Sequence, residues 1–375
     1  MLLSTEQEER RAAFRAFADE RIAPEAGRFD ADGAIDPGLI GALAERGWLA
    51  AVVGPEYGGA GMDAVTFGLL CEEVGRACSS TRSLLTVHNM VAATLGRWGT
   101  PEQRERWLGP LVTGEAIAAF GLTEPEAGSD AKAVAAPLHL DGEAATISGR
   151  KLWVTFGQRA DVFLVVGAAE QGPTALLVEA DAPGLSREPV QALGLRGAML
   201  ADIVMDGCRV PAANVVGRPG LGFSHIAATV LDHGRYSVAW GSVGIAQASL
   251  DAGVAHAARR RQFGKPLREH QLVRRLISEM MVDTRAARLM CLSAGVARDA
   301  RSRDALAETM MAKYAASTAA WRAADAAVQI HGAQGVSPAF PVERLLRDAR
   351  IMRIIEGSDE MQQLTIAEFG LRGHS

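Results

Sequence analysis

Apolar residues recur every three to four positions through the first 116 residues, a spacing that predicts amphipathic helices. Ser4 followed by acids reads as an N-cap with its first turn, and Phe14, Phe17 and Ile22 supply an apolar stripe. "DPGLIGALAERGWLAAVVGPEYGGAGMD" reads as a short helix ending near Gly47, then a Gly/Pro-rich loop. "AVTFGLLCEEVGRA" and "LLTVHNMVAATLGRWG" continue the helical period, with Gly99-Thr100-Pro101 as a stop and a restart.

Near Ala118 the pattern shortens to alternating runs broken by turns. "LHLDGEAATISGRKLWVTFG" predicts a hairpin turning at Asp141-Gly142. "DVFLVVGAA", "TALLVEAD", "LSREPVQALG" and "ADIVMDGCRVP" predict further strands. From Gly222 the helical period returns in four or five long, Ala-rich segments, with breaks near "FGKPLREH", "ARDARSRD" and "HGAQGVSPAFP". Antiparallel helices packed as a bundle are the economical solution there. The expected class is α+β: a helical domain over 1–117, a β domain over 118–219 and a helical bundle over 220–375. A crevice between unlike domains is where ligands commonly bind.

Composition narrows the class. With 375 residues, 48% of them hydrophobic, the chain can bury more than one core. A net charge of −5 lacks the polycationic field of a duplex-binding protein, so no nucleic-acid partner is expected. Apolar windows are interrupted by Gly, Asp or Arg before they reach bilayer length, so no membrane partner is expected either. The acid-rich N-terminus lacks the pattern of a secretory signal. Cys71, Cys78, Cys208 and Cys291 are scattered and read as buried free thiols. Together these predict a cytoplasmic protein.

Five stretches carry candidate chemistry, each with a plainer alternative. "FGLTEPEAGSD" (120–130) offers hydroxyls and loop N–H groups to an anionic or carbonyl-rich ligand, or is an acidic turn. "KLWVTFG" (151–157) places Trp153 and Thr155 two apart on a strand, so that both face one side and back a planar ring, or Trp153 merely packs over the sheet. In "LDHGR", Asp232 and Arg235 are helix neighbours and suit a surface pair; His233 has no companion at metal-ligand spacing, so no metal is expected. "RRRQFGKPLREHQ" (259–271) suits a phosphate with an aromatic contact, or a solvated helix end. "QIHGAQG" (329–335) lets backbone approach a ligand, or is a C-cap. A sixth stretch, "IIEGSDEM" (354–361), ties Glu356 to two bulky apolar residues and a glycine. By itself it favours a solvated helix end.

Taken in order, the six stretches resemble the acyl-CoA dehydrogenase family, from "EYGGAGMD" to "EGSDEMQQLTIAE". The resemblance implies an N-terminal helical domain, a middle β-barrel or sandwich, a C-terminal four-helix bundle, non-covalent FAD and a homodimer or homotetramer. It implies that Phe120, Leu122, Thr123, Gly128 and Ser129, with Trp153, Val154 and Thr155, line the isoalloxazine and pyrophosphate. Arg260, Gln262, Phe263 and Gln271 would reach the ADP half of an FAD in a neighbouring subunit. Gln329, Ile330, His331, Gly332 and Ala333 would make another contact to that half. Ser358 and Glu360 would touch the cofactor, while Asp359 reads as a surface charge.

Glu356 falls where the family has its catalytic base. Removing a proton alpha to a thioester requires a carboxylate about 3 Å from that carbon. Burial beside Ile354 and Ile355 should raise its pKa. Gly357 lets the backbone approach the thioester carbonyl, so that the Glu356 amide can serve as an oxyanion donor. Ser129, Asp232 and Arg235 would meet the pantetheine arm.

"CSSTRSLLTVHNM" (78–90), "GRYSVAWGSVGI" (234–245) and the Ser358-Asp359 pair resemble a narrower branch acting on acyl carrier protein thioesters in extender-unit biosynthesis. The expected substrate is an acyl thioester on a carrier protein, with the CoA ester as the alternative and an oxygen-using oxidase as a further one. An electron-transfer flavoprotein is the expected acceptor. Arg259–Arg261 or Arg298–Arg303 could dock an acidic carrier helix, although solvated surface or cofactor contacts account for them more simply.

Overall fold

The computed structural model describes residues 3–372. Six helices come first: α1 (Thr5–Phe17), α2 (Ala26–Asp32), α3 (Pro37–Ala44), α4 (Ala64–Ala77), α5 (Ser79–Trp98) and α6 (Pro101–Thr113). Ser4 caps α1 in a capping box: its hydroxyl accepts from the Gln7 amide, and its own amide donates to Gln7 Oε1. Thr100 and Gln103 repeat the device where the chain restarts after Gly99. Phe14, Phe17 and Ile22 are buried as their spacing predicts. The helical pattern gives no warning that Glu72 and Glu73 of α4 are buried too. Arg11 and Arg15 of α1 and Arg288 supply their guanidinium partners, which fastens α1 to α4.

Eight strands follow: β1 (Ala118–Gly121), β2 (Leu138–Leu140), β3 (Ala144–Val154), β4 (Val162–Ala169), β5 (Gly172–Glu179), β6 (Leu185–Pro189), β7 (Ala201–Pro211) and β8 (Val215–Val216). They form two four-stranded sheets ordered β1-β4-β5-β8 and β2-β3-β7-β6. The expectation of a barrel or sandwich resolves to these two open sheets. Two-residue β8 is too short to carry a ladder onward, and a single parallel bridge, Pro137 to Ala168, links the sheets. The hairpin turns at Asp141-Gly142, with Asp141 accepting from the Ala144 amide. "LSREPVQALG" is strand only to Pro189, where the ladder to β7 ends at the Pro189–Ala201 pair; just beyond the stretch, the Leu195 amide donates to the Asp348 carboxylate.

After a wide turn, Gly222–Ala227, the chain forms α7 (Ala228–Arg259), a small hairpin of β9 (Arg261–Gln262) and β10 (Lys265–Pro266), then α8 (Gln271–Asp299) and α9 (Ala305–His331). Two shorter helices, α10 (Val342–Met352) and α11 (Asp359–Arg372), complete the C-terminal part. Helix α7 packs against α9, α4, α5 and α8, so it joins the two helical parts. Leu122 at the end of β1 and Val230 at the start of α7 share one apolar cluster, which brings the β domain against the bundle. All four cysteines are buried free thiols. Among the described residues no helix is long and apolar enough to cross a membrane.

Candidate active site

Glu356 lies on the six-residue link between α10 and α11, in a turn where it and Gly357 both have positive φ, 57° and 91°. A non-glycine residue in that region persists only where its surroundings hold it. Here three helices do so. Arg235 Nε of α7 donates to the Glu356 carbonyl at 3.1 Å, and Gln362 Nε2 of α11 reaches the Glu356 and Gly357 carbonyls at 3.0 and 3.2 Å. Lys313 Nζ of α9 donates to the Gly357 carbonyl at 2.8 Å.

The Glu356 side chain packs against Gly234 of α7, where a Cβ would overlap the carboxylate. Its Oε2 is shielded from solvent and has no hydrogen-bond partner among the described residues. Burial pushes the carboxyl up to about 7, against the opposing pull of Arg235, Lys313 and Arg82. The expected cause, shielding by Ile354, is corrected: that side chain is half exposed, and the cover comes instead from α7. Ile355 does pack on the main core.

On the β side, the Leu152 amide donates to the Thr123 carbonyl at 2.8 Å, so the two predicted flavin stretches lie side by side. Fully buried Lys151 fastens them further, donating to the carbonyls of Leu122 and Val166 and to the Glu124 carboxylate. The expected alternation of Trp153 and Thr155 along one strand does not hold. The β3–β7 register shifts between Lys151 and Val154, Trp153 takes a φ of 59°, and Thr155 lies in the turn beyond β3. That bulge leaves the Trp153 ring 55% exposed, while Val154 is buried and paired with Ala201.

Phe120, Thr123 and Thr155 are half-buried, Leu122 is buried, and Gly128 and Ser129 are exposed, with open space around Gly128. An uncovered indole, two hydroxyls and a loop rich in N–H donors fit a planar heterocycle with a phosphate tail.

The remaining predicted positions divide. Asp232 and Arg235 do not form the expected surface pair: Asp232 accepts from Arg298 at 2.7 Å, while Arg235 holds the Glu356 carbonyl. Arg298, stacked on Tyr236, is therefore spent inside the chain and is not free for docking. Asp359 is buried, held by Arg353 and Ser317, which corrects its reading as a surface charge. Half-buried Ser358 and exposed Glu360 follow Glu356 directly. Arg260, Gln262, Phe263 and Gln271 are exposed around the β9–β10 hairpin, Phe263 at 94%. Gln329, Gly332 and Ala333 are exposed, but Ile330 and His331 point into their own core, His331 stacked on His256 at 4.1 Å. No described hydrogen bond or ring contact joins either group to the Thr123–Trp153 region.

Three family profiles match the chain: "Acyl-CoA dehydrogenase, N-terminal domain" over residues 4–115, "middle domain" over 119–208 and "C-terminal domain" over 220–371. The chain belongs to the acyl-CoA dehydrogenase family. Its similarity to the probable acyl-CoA dehydrogenase YngJ of Bacillus subtilis is 39% identity over 97% of this chain and 98% of that one. Among solved structures it is similar to FkbI, described as serving biosynthesis of the methoxymalonyl extender unit of the polyketide Fk520. There the TM-score is 0.89 at 36% identity, covering 97% and 99% of the two chains. It is also similar to AnaB, a prolyl acyl carrier protein oxidase, with TM-score 0.92, 27% identity and coverage of 98% and 99%. Acyl-CoA dehydrogenases are FAD-dependent oxidoreductases acting on the CH–CH bond of acyl thioesters. The donor set around Trp153 suits that cofactor.

Arg82, Lys313, Gln362 and the Lys151–Glu124 pair escape sequence reasoning. Arg82 is fully buried, its guanidinium bonded to Thr86 Oγ1 and Met352 Sδ, and its Nε lacks a partner. The available signal is charge at positions whose helical or strand phase demands burial: Arg82 among the apolar residues of α5, Lys313 within the alanines of α9, and Lys151 inside β3.

Proposed function

We propose that this chain is an FAD-dependent acyl-thioester dehydrogenase in which Glu356 takes the α-proton, and that its substrate is a short acyl group carried by an acyl carrier protein. The observation that carries the reading is the unpaired, shielded Oε2 of Glu356 with its carboxyl raised to about 7. A base of that strength is half ionised near neutral pH and holds the proton it removes. The Glu356 amide donates to no group among the described residues, which leaves it for the thioester oxygen. Asp232, Arg235 and Ser129 flank the path of the pantetheine arm. Bound FAD supplies the acceptor for the hydride that leaves the β-carbon as the α,β double bond forms.

The loop from Phe120 to Ser129 and the Trp153–Thr155 turn hold the flavin. The exposed groups at Arg260–Phe263, Gln271 and Gln329–Ala333 serve the cofactor of a second copy, in a homodimer or homotetramer. Ser358 and Glu360 complete the cradle. Electrons then pass to an electron-transfer flavoprotein.

The carrier preference is supported by the likeness to AnaB, whose described substrate is a carrier-protein thioester, and to FkbI, described in extender-unit biosynthesis. The likeness to short-chain specific acyl-CoA dehydrogenases, 35% identical for the mouse protein, favours the CoA ester as second reading. Anaerobic stopped-flow reduction by butyryl carrier protein and by butyryl-CoA separates them. Faster bleaching by the carrier thioester is expected, and equal rates would leave the CoA reading in place.

A further inference from the structure

Lys313 is buried within α9 between buried Ala312 and Ala316. Burying an ammonium is costly unless strong partners compensate. Yet Lys313 makes no ion pair among the described residues, and its hydrogen bond goes to backbone: Nζ donates to the Gly357 carbonyl at 2.8 Å. One turn on, Ser317 Oγ lies 3.3 Å from Asp359 Oδ1 and 3.2 Å from the Tyr314 carbonyl, its two acceptors, so α9 meets the chain on either side of Ser358, at the link and at the first residue of α11. The gripped peptide belongs to the left-handed turn that carries Glu356.

We propose that Lys313 is a positioning residue for the dehydrogenation. It holds the Gly357 carbonyl so that the Glu356 turn keeps its aim, and its charge favours the ionised form of that carboxyl against the effect of burial. The inference rests on the reading of Glu356 as the base. Facing Glu356 are Arg235 from α7, Arg82 from α5 and Lys313 from α9. Facing Lys313 besides Glu356 are Asp359 from α11 and Arg353 from the link, with Arg235 across from them. Arg235 spends its Nε on the Glu356 carbonyl, and the described hydrogen bonds of Arg82 go to neutral atoms, Thr86 Oγ1 and Met352 Sδ. Lys313 therefore joins the backbone clamp to a nearby charge from a third direction. Burial lowers its own pKa to about 8, which leaves it protonated at neutral pH.

Two holoenzyme variants separate clamp from charge: Lys313→Met, with neither donor nor charge, and Lys313→Gln, which keeps a donor. The first readout is an infrared titration of the Glu356 carboxyl, assigned by its loss in Glu356→Gln, which requires no substrate. Both variants should raise the midpoint by about one pH unit, the effect of removing a charge several ångströms away at an effective dielectric near 20. The second readout is flavin bleaching by a butyryl thioester. Lys313→Met should slow it by about 10- to 100-fold at neutral pH, with the half-saturating thioester concentration changed by less than about twofold. Lys313→Gln should recover most of that rate once the pH is raised above its new midpoint. An unmoved midpoint in both variants, even with lower thermal stability, would overturn the proposal, as would an unchanged bleaching rate. If Lys313→Met gives no folded flavoprotein, Lys313→Gln carries both readouts. A shifted midpoint in a protein that no acyl thioester can bleach would overturn the dehydrogenase reading and leave the Lys313–Glu356 coupling standing.

Discussion

Gly234 of α7 leaves the space that the Glu356 carboxylate fills, and a Cβ at that position would overlap Oε2. Alanine is otherwise the better helix former by about 1 kcal/mol, so helix stability is not what favours glycine there. Gly234→Ala is expected to fold and keep FAD, while the first-order rate of flavin reduction falls about 100-fold through misplacement of the base. Rapid-mixing absorbance measures it, and an unchanged rate would show that the carboxylate is not used in this pose.

The ionisation of Glu356, as the proposed base, should set the acid side of the rate profile. With its carboxyl at about 7, reduction should fall roughly tenfold per pH unit on the acid side of that value. Stability moves the other way. The group titrates near 4.5 in an unfolded chain and near 7 when folded, so the native state binds the extra proton between them. Its stabilising contribution is intact below about 4.5 and is lost as pH rises through 7. Glu356→Gln should therefore be more stable than the parent at pH 8, by on the order of 1–3 kcal/mol, and unfold at a higher temperature there, with no difference near pH 4. Scanning calorimetry at the two pH values decides it.

Lys151 and Glu124 form a buried pair that ties the Thr123 loop to β3. Removing one partner strands the other charge. Lys151→Met should cost about 3–5 kcal/mol, and adding Glu124→Leu should restore much of that loss. Urea unfolding of the single and double variants measures the coupling. Additive losses would show the two charges to be independent.

Phe263 is 94% exposed at the tip of the β9–β10 hairpin. Phe263→Ser should leave the thermal unfolding of the apo-chain within about 0.5 kcal/mol of the parent, as for other surface positions. FAD retention and oligomer mass in sedimentation should both drop if the ring serves a second copy. Full retention of both would remove Phe263 from the shared cofactor site.

Local pattern made much of the architecture legible. "AVTFGLLCEEVGRA" is α4 residue for residue, and "ADIVMDGCRVP" is β7. Periodicity and caps act over a few residues, and so can be read from a few residues. The bulge that turns Trp153 outward depends on register against β7, about 50 residues away, and no alternation rule contains it. Asp359 looked like a surface acid because α9, which carries Ser317 42 residues away, packs over it only in the folded chain; its ion-pair partner Arg353, six residues away, gives no sign of burial. Arg82 and Lys313 sit in sequences that look apolar or Ala-rich, and their meaning comes from helices that converge only in three dimensions. Charge at a buried helical phase is therefore the sequence feature that best points to the surroundings of Glu356.

Glu356 is held by Arg235 from 121 residues upstream and by Gln362 from six residues downstream. During synthesis, then, the Thr123 loop and the Trp153 turn of the β domain are made well before Glu356. The clamp cannot close until α11 has left the ribosome. A chain that stalls or is clipped before Gln362 lacks that clamp, even though Arg235 and Lys313, which hold the same turn, have already been made.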